Sequence, residues 1–257
     1  MLDPGIIEGF PAVSLQEMDS VRLMNRIDSK YLTDEDTLAG ILLNAKALGY
    51  KALQTEGGKT ASYDTLYFDT PELRMFLDHH NRRLVRQKVR TRVYVSSGLT
   101  FLEIKRKNNH GRTKKKRMEI PASEFKGFNS DAGACAFLAA KSKYTAEGIS
   151  PCLETIFRRI TLVNPAMTER VTIDSGVAFR NVRTGREASL KNSVIIEIKQ
   201  DGRTQSTMRG ILLDHRVKPI HVSKYCLGVT LTCPGIKSNR FKLKVRKIEK
   251  QIKQKLI

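Results

Sequence analysis

The sequence predicts an α+β fold: a large antiparallel sheet closing into a β-barrel, with helices flanking it. Three observations lead there. In segment 84–120 the residues alternate: Lys88, Arg90, Arg92 and Tyr94 fall on one side, and Val89, Thr91, Val93 and Val95 on the other. Phe101, Glu103, Lys105 and Lys107 then oppose Leu102, Ile104 and Arg106, and a third run carries Arg112 and Lys114 to Arg117. Side chains alternate across a strand, so each run fixes cations on one face at intervals of about 7 Å. The second observation is recurrence, since the same charged alternation returns further along the chain. The third is order: strand-like runs outnumber helical ones and connect locally, without a steady strand–helix–strand rhythm.

The elements follow in sequence. Ser14 and Glu17 make a capping box that opens a short helix through about Met24. RIDSKYL (26–32) reads as a strand with Ile27, Ser29 and Tyr31 on one face and Asp28, Lys30 and Leu32 on the other. Thr33 and Asp34 cap a helix ending near Gly49, its apolar side formed by Leu38, Ile41, Leu42, Ala45 and Leu48. Segment 61–70 is strand-like, rich in aromatic residues and Thr. Pro71 precedes a short helix over 72–81. After the three runs of segment 84–120 come a helical segment from Ser123, a loop over 127–133 and a helix over 134–143. Strands are expected over 152–163, 169–179 and 193–200, with a turn over 181–188. Gly202 is read as opening a helix through His215, and 221–226 as a short helix or strand.

Segment 236–257 holds nine Lys or Arg and one Glu, with Phe241, Val245, Ile248, Ile252 and Leu256 at helical spacing. It reads as a basic amphipathic helix or tail beyond a single domain at 1–235. Its two uses are packing on the domain, or anchoring on anionic lipid or a partner.

A net charge of +20 over 257 residues is extreme. Self-repulsion of that size points to nucleic acid, an anionic membrane or a polyanionic small substrate. Cys135, Cys152, Cys226 and Cys233 lack metal-site spacing and read as reduced core residues, which fits a cytoplasmic protein, peripheral at most to the inner face of a membrane. No apolar run is long enough for a transmembrane helix, and the N-terminus lacks a secretory pattern.

A barrel turns every second residue inward. If Val89, Val93, Leu102, Ile104, Val194, Ile196 and Ile198 pack under helices, then the cations point into the lumen. These are Lys30, Lys88, Arg90, Arg92, Lys105, the Lys114 to Arg117 cluster, Arg159, Arg170 and Lys199. Such a set is tolerable only around a highly charged anion. Arg grips phosphate oxygens bidentately and Lys acts as a point charge. A carboxylate among them, Glu103 or Glu197, is placed to hold a divalent metal against phosphate. A cross-strand salt bridge is the stronger reading for Glu103. Glu197, nearly alone on an apolar strand, is the stronger metal ligand. The alternative for all these faces is a solvated sheet surface.

At these residues the sequence resembles the VTC family, the polyphosphate polymerase domain of the vacuolar transporter chaperone complex and its bacterial relatives. That family sits in the CYTH, or triphosphate tunnel metalloenzyme, group. The matching stretches arrive in family order: RIDSKYLT, YDTLYFDT, KVRTRVY, FLEIKRK, GRTKKKRME, FRRITLV, ERVTID, VIIEIK and HVSKYCLG. The resemblance implies a triphosphate tunnel that binds ATP phosphates and growing polyphosphate. By position it implies phosphate ligands at Lys30, Arg90, Arg92, Lys105, Lys115, Arg117, Arg159 and Arg170, with Lys224 closing the tunnel end. Lys30, Arg90, Arg92 and Lys224 are expected to carry the chemistry, and Glu197 to hold Mn²⁺ or Mg²⁺. Two departures stand out: Asp28 where many tunnel enzymes carry Glu, and Phe157 where some relatives carry Tyr. The SPX domain and membrane helices of the eukaryotic subunits are missing, so soluble regulation or a separate membrane partner would be needed.

The expected reaction is metal-dependent transfer of the γ-phosphate of ATP to a polyphosphate end. The alternatives are hydrolysis of inorganic triphosphate or a nucleotide in the same fold, and non-catalytic binding of nucleic acid or anionic membrane. No Walker-type loop is present. Nucleic acid is the less expected partner, because the cations alternate with aliphatics and no aromatic stacking platform is evident. His79 and His80 read as surface or packing residues.

Overall fold

The computed structural model describes residues 3–19, 26–202, 204–252 and 255–256. The predicted helix end at residues 20–24, the Ile252 side chain, and residue 203 of the expected 202–215 helix lie outside the described residues.

The frame is one sheet. Its long strands are β2 (Arg26–Asp34), β4 (Thr60–Asp69), β5 (Arg86–Tyr94), β6 (Thr100–Lys107), β7 (Thr113–Ile120), β8 (Ser150–Val163), β9 (Glu169–Asn181) and β11 (Ser193–Asp201). They pair in the order β2-β11-β9-β8-β4-β5-β6-β7, antiparallel throughout. Three short strands join this path: β1 (Ala12–Val13), β3 (Lys51–Leu53) and β10 (Glu187–Ser189). Among the described residues β2 and β7 do not pair, so the sheet is a curled half-barrel rather than a sealed cylinder. The curl shows in what its two ends reach. Lys30 on β2 donates to the Val222 carbonyl at 3.4 Å, and Lys88 on β5 donates to Ser223 Oγ at 2.6 Å.

The convex side is apolar because each strand places its aliphatic residues there. Ile160, Leu162, Val171, Ile173, Val194, Ile196 and Ile198 lie under α1 (Pro4–Glu8), α3 (Glu35–Ala47) and α6 (Thr207–Asp214). Val89, Leu102 and Ile104 share a second core with Phe125, Phe128 and Leu138 of the segment around α5 (Ala132–Lys141). Local signals place the helices. Ser14 and Glu17 form the reciprocal box that opens α2 (Leu15–Asp19). Asp34 accepts from the Thr37 amide at the start of α3. The helix expected from Gly202 begins later, at Thr207, because Ser206 provides the cap.

One end of the concave side is filled. There α7 (Lys224–Thr232) lies against the sheet, so close that a Cβ on Gly228 would stand 2.5 Å from Leu153 Cδ2 and 2.6 Å from Phe179 Cδ1. Tyr225 donates to Asp69, which also accepts from the Met75 and Phe76 amides at the start of α4 (Arg74–His80). The basic C-terminal segment forms α8 (Asn239–Ile252). Its Phe241, Val245 and Ile248 are buried in the same core as Phe76 and Tyr225. Packing is therefore the use the apolar side of α8 finds, and it is not free for lipid. His80 is buried and bonded to Asn239 Oδ1 at 2.7 Å, and the His79 ring meets Phe241 edge-on. No described helix is long and apolar enough to cross a membrane.

Candidate active site

Beyond α7 the concave side changes character. The register sets cations side by side. Lys88, Lys105 and Lys115 stand in one row across β5, β6 and β7, and Arg90, Glu103 and Arg117 in the next. On the other wall Arg159 pairs with Asp174, Thr172 with Glu197, and Arg170 with Lys199. Lys30 stands opposite Glu197, and Asp28 opposite Lys199. Like charges directly opposite one another destabilise a sheet, so the lysine row needs an external reason.

Three carboxylates hold part of this charge. Glu103 is buried and takes Arg90 on one oxygen, at 2.7 Å from Nε, and Lys115 on the other, at 2.7 Å. Burial alone would raise its pKa, but Arg90, Arg92 and Lys115 pull it far below the usual carboxylate range. Asp174 grips Arg159 bidentately, at 2.6 and 2.8 Å, and also accepts from Lys224. It too is driven low: burial opposes the shift, and Arg159 and Lys224 overcome it. Glu197 lies between Lys199 at 2.5 Å and Lys30 at 3.4 Å. The expectation that it stands nearly alone is corrected here: the strand's second face is apolar, but its own face is flanked by lysines from two strands. Burial would raise its pKa, and Lys30 with Lys199 carries it well below the ordinary value.

Not every cation is held in this way, and burial acts on paired and unpaired ones alike. Lys105 has no carboxylate or hydrogen-bond partner among the described residues. Its side chain reaches the solvent of the hollow yet is walled in by protein, and that loss of water, then Lys30, pushes its pKa down to about 7. Lys224 falls to about 8, through burial first, with Asp174 opposing. Lys88 and Lys199 are lowered by burial, and Arg170 by burial and then Arg26. Arg92 is buried and lowered to about 10 by burial and Arg90, while its Nε bonds Thr65 Oγ1 at 3.0 Å. Arg117 lies over the Phe101 ring at 4.7 Å. The N-terminus of α7 adds its dipole to the floor, beside Lys30 and Lys88. Thus Lys30, Lys88, Arg90, Arg92, Lys105, Lys115, Arg117, Arg159, Arg170, Lys199 and Lys224 converge on one concavity, where cations outnumber carboxylates.

Several residues escaped the sequence reading. Asp174, within the strand expected over 169–179, anchors Arg159 and Lys224. Tyr67 accepts from Arg90 at 3.0 Å, and Ser223 from Lys88. An aromatic row, unseen in the sequence, also crosses the sheet. Phe157 stacks on Tyr63 at 5.3 Å, Tyr63 meets Tyr94 at 4.9 Å, and Tyr94 meets Phe101 at 5.7 Å. The guanidinium groups of Arg92 and Arg159 lie over the Phe157 and Tyr63 rings at 5.2 to 5.7 Å. The sequence signal was confined to the aromatic-rich segment 61–70, because the rings meet through pairing that the chain order does not display.

Comparison with known proteins adds the following. No curated protein matches the chain. Among solved structures, a Hippeastrum protein proposed as an adenylyl cyclase, and reported to have a dominant triphosphatase activity, aligns with a TM-score of 0.49 at 13% identity. That alignment covers 82% of this chain and 99% of the other. A Vibrio parahaemolyticus protein proposed as an adenylate cyclase aligns with a TM-score of 0.47 at 11% identity, covering 79% and 97%. The family model described as the VTC domain matches residues 25–233, from β2 through the end of α7. Every strand that lines the basic hollow falls inside that match, and the chain belongs to the VTC domain family.

Proposed function

We propose that the protein transfers the γ-phosphoryl group of ATP to the end of a polyphosphate chain held in the basic hollow. The observation that carries this reading is the in-register row Lys88, Lys105 and Lys115, whose mutual repulsion a chain of phosphates would offset. Phosphoryl transfer asks for positioning and charge stabilisation rather than a protein nucleophile. Arg90 and Arg159, held by Glu103 and Asp174, are fixed forks for the phosphate oxygens of the donor. Arg92, Lys105 and Lys224 supply charge where it develops, and Lys30, Lys199 and Arg170 line the wall opposite.

A divalent ion fits this set in one manner. Glu103 has both oxygens engaged, and no cluster of three metal-binding side chains occurs among the described residues. Glu197 also has a lysine on each oxygen, but its contact with Lys30 is long, at 3.4 Å, so it is the carboxylate that would hold Mn²⁺ or Mg²⁺ together with substrate phosphate oxygens, as suits ions that bind through one or two carboxylates. When bound, the ion would neutralise charge between adjacent phosphates. Lys30 and Lys199 would then be released from Glu197 to the phosphates.

The test is incubation with ATP and Mn²⁺, with products separated on a gel. Long phosphate chains are the expected product. Orthophosphate alone would favour triphosphate hydrolysis in the same hollow, and no turnover with retained binding would favour a non-catalytic polyanion binder.

A further inference from the structure

The aromatic row lies at the end of the hollow opposite α7. Tyr63 lies in the first half of β4, Tyr94 closes β5 and Phe101 is the second residue of β6, whereas Asp69, which accepts from Tyr225 of α7, closes β4. Phe157 and Tyr63 are buried beneath Arg92 and Arg159, so their faces are occupied. Tyr94 and Phe101 are half-buried, and the exposed Arg117 spans Phe101. The turn beyond them presents Val95 at 56% and Leu99 at 44% exposure, an apolar lip beside two aromatic rings in a strongly basic protein.

Spacing ties this lip to the phosphate wall. Tyr94 lies two residues from Arg92 on the same face of β5, about 7 Å along the strand. Phe101 stands directly opposite Arg92 in the register. A triphosphate gripped by Arg90, Arg92 and Arg159 would therefore leave whatever is attached to its α-phosphate beside Tyr94, Phe101 and Arg117. Unlike Arg92 and Arg159, Arg117 is exposed, so its guanidinium and the half-buried Tyr94 and Phe101 rings are planar groups on which a nucleobase stacks with little preference among bases.

We propose that Tyr94, Phe101 and Arg117 form a nucleobase-stacking subsite at the mouth of the hollow, which makes a nucleoside triphosphate a better ligand than inorganic triphosphate. This rests on the proposed function, because it presumes that the hollow binds a triphosphate. Glu119 stands opposite Phe101 in the register and is the acidic side chain beside the row, an exposed acceptor for a base amino group. Stacking on the rings distinguishes nucleotide from bare phosphate, and adenine and guanine both carry an amino group for Glu119.

Calorimetric titration of ATP, GTP and sodium triphosphate into the full chain and its Phe101→Leu and Phe101→Tyr variants tests it. The leucine keeps an apolar side chain without the ring, and thermal melts confirm that each variant is folded. The expected result is tighter binding of ATP and GTP than of triphosphate. Phe101→Leu should weaken both nucleotides about tenfold, the scale of one lost base stack. It should leave triphosphate unchanged, and Phe101→Tyr should restore the nucleotides. If Phe101→Leu weakens all three ligands alike, or none, the subsite is refuted while the phosphate hollow stands. If the unaltered protein binds neither triphosphate nor nucleotide, the functional reading falls and the subsite with it. Should Phe101→Leu fail to fold, Tyr94→Leu carries the same contrast.

Discussion

Glu103 is the residue on which the β5–β7 wall turns. Its side chain is 1% exposed, and it neutralises Arg90 and Lys115 at once. Glu103→Gln leaves both cations uncompensated, so the ligand-free protein should lose about 3–5 kcal/mol, the cost of breaking a buried pair from one side. Urea unfolding measures this, and added triphosphate should restore part of the loss. Proton linkage is a second test. With Lys105 near 7 and Lys224 near 8, both amines are partly neutral in the empty hollow at mildly alkaline pH. A bound polyanion favours the ammonium forms, so binding should take up protons and weaken as the pH rises through 7 to 9. Calorimetry in buffers of different ionisation enthalpy detects that uptake, and its absence would mean these lysines do not face the ligand. Alternation alone had marked out Lys88, Arg90, Arg92, Glu103 and Lys105, because strand geometry is local. The role of Asp174 was not legible: its partners, Arg159 and Lys224, lie 15 and 50 residues away.

Two helices decide how much of the concave face stays open. α7 closes one end through an approach that only a missing Cβ permits, so Gly228→Ala should cost about 1–3 kcal/mol by overpacking Leu153 and Phe179. α8 seals the same end from outside. Phe241 packs against Phe76 and His80, so Phe241→Ala should cost about 3–5 kcal/mol. Thermal melts check both variants. Deleting 236–257 should thus lower stability besides removing charge, and loss of binding in that deletion would not by itself locate the ligand on α8. The helical spacing of Phe241, Val245 and Ile248 was plain in the sequence, but what they pack on was not. β1, β3 and β10 span only two or three residues each, too few to show alternation, and they form because longer neighbours offer pairing edges.

At the scale of the whole molecule, a chain of net charge +20 sets rows of its cations on a curled sheet whose end strands β2 and β7 do not pair among the described residues. Antiparallel order and a cation-facing interior followed from alternation and local connection. That opening did not, since strand pairing at a seam depends on length and twist summed over the whole sheet. The charge also sets stability. Lys105 and Lys224 bind fewer protons folded than unfolded above pH 7, so the ligand-free protein should become more stable as pH rises from 7 to 9. A phosphate polyanion should remove that trend by restoring their protons, which melting curves at several pH values would show. The most direct measurement compares triphosphate affinity in two variants of equal charge change. One loses Arg92 and Lys105 in the hollow, and the other loses the exposed Lys242 and Lys247 of α8. The account predicts that calorimetry finds binding abolished or greatly weakened in the first and kept in the second. Binding kept in the first and lost in the second would place the ligand on the outer surface and contradict it.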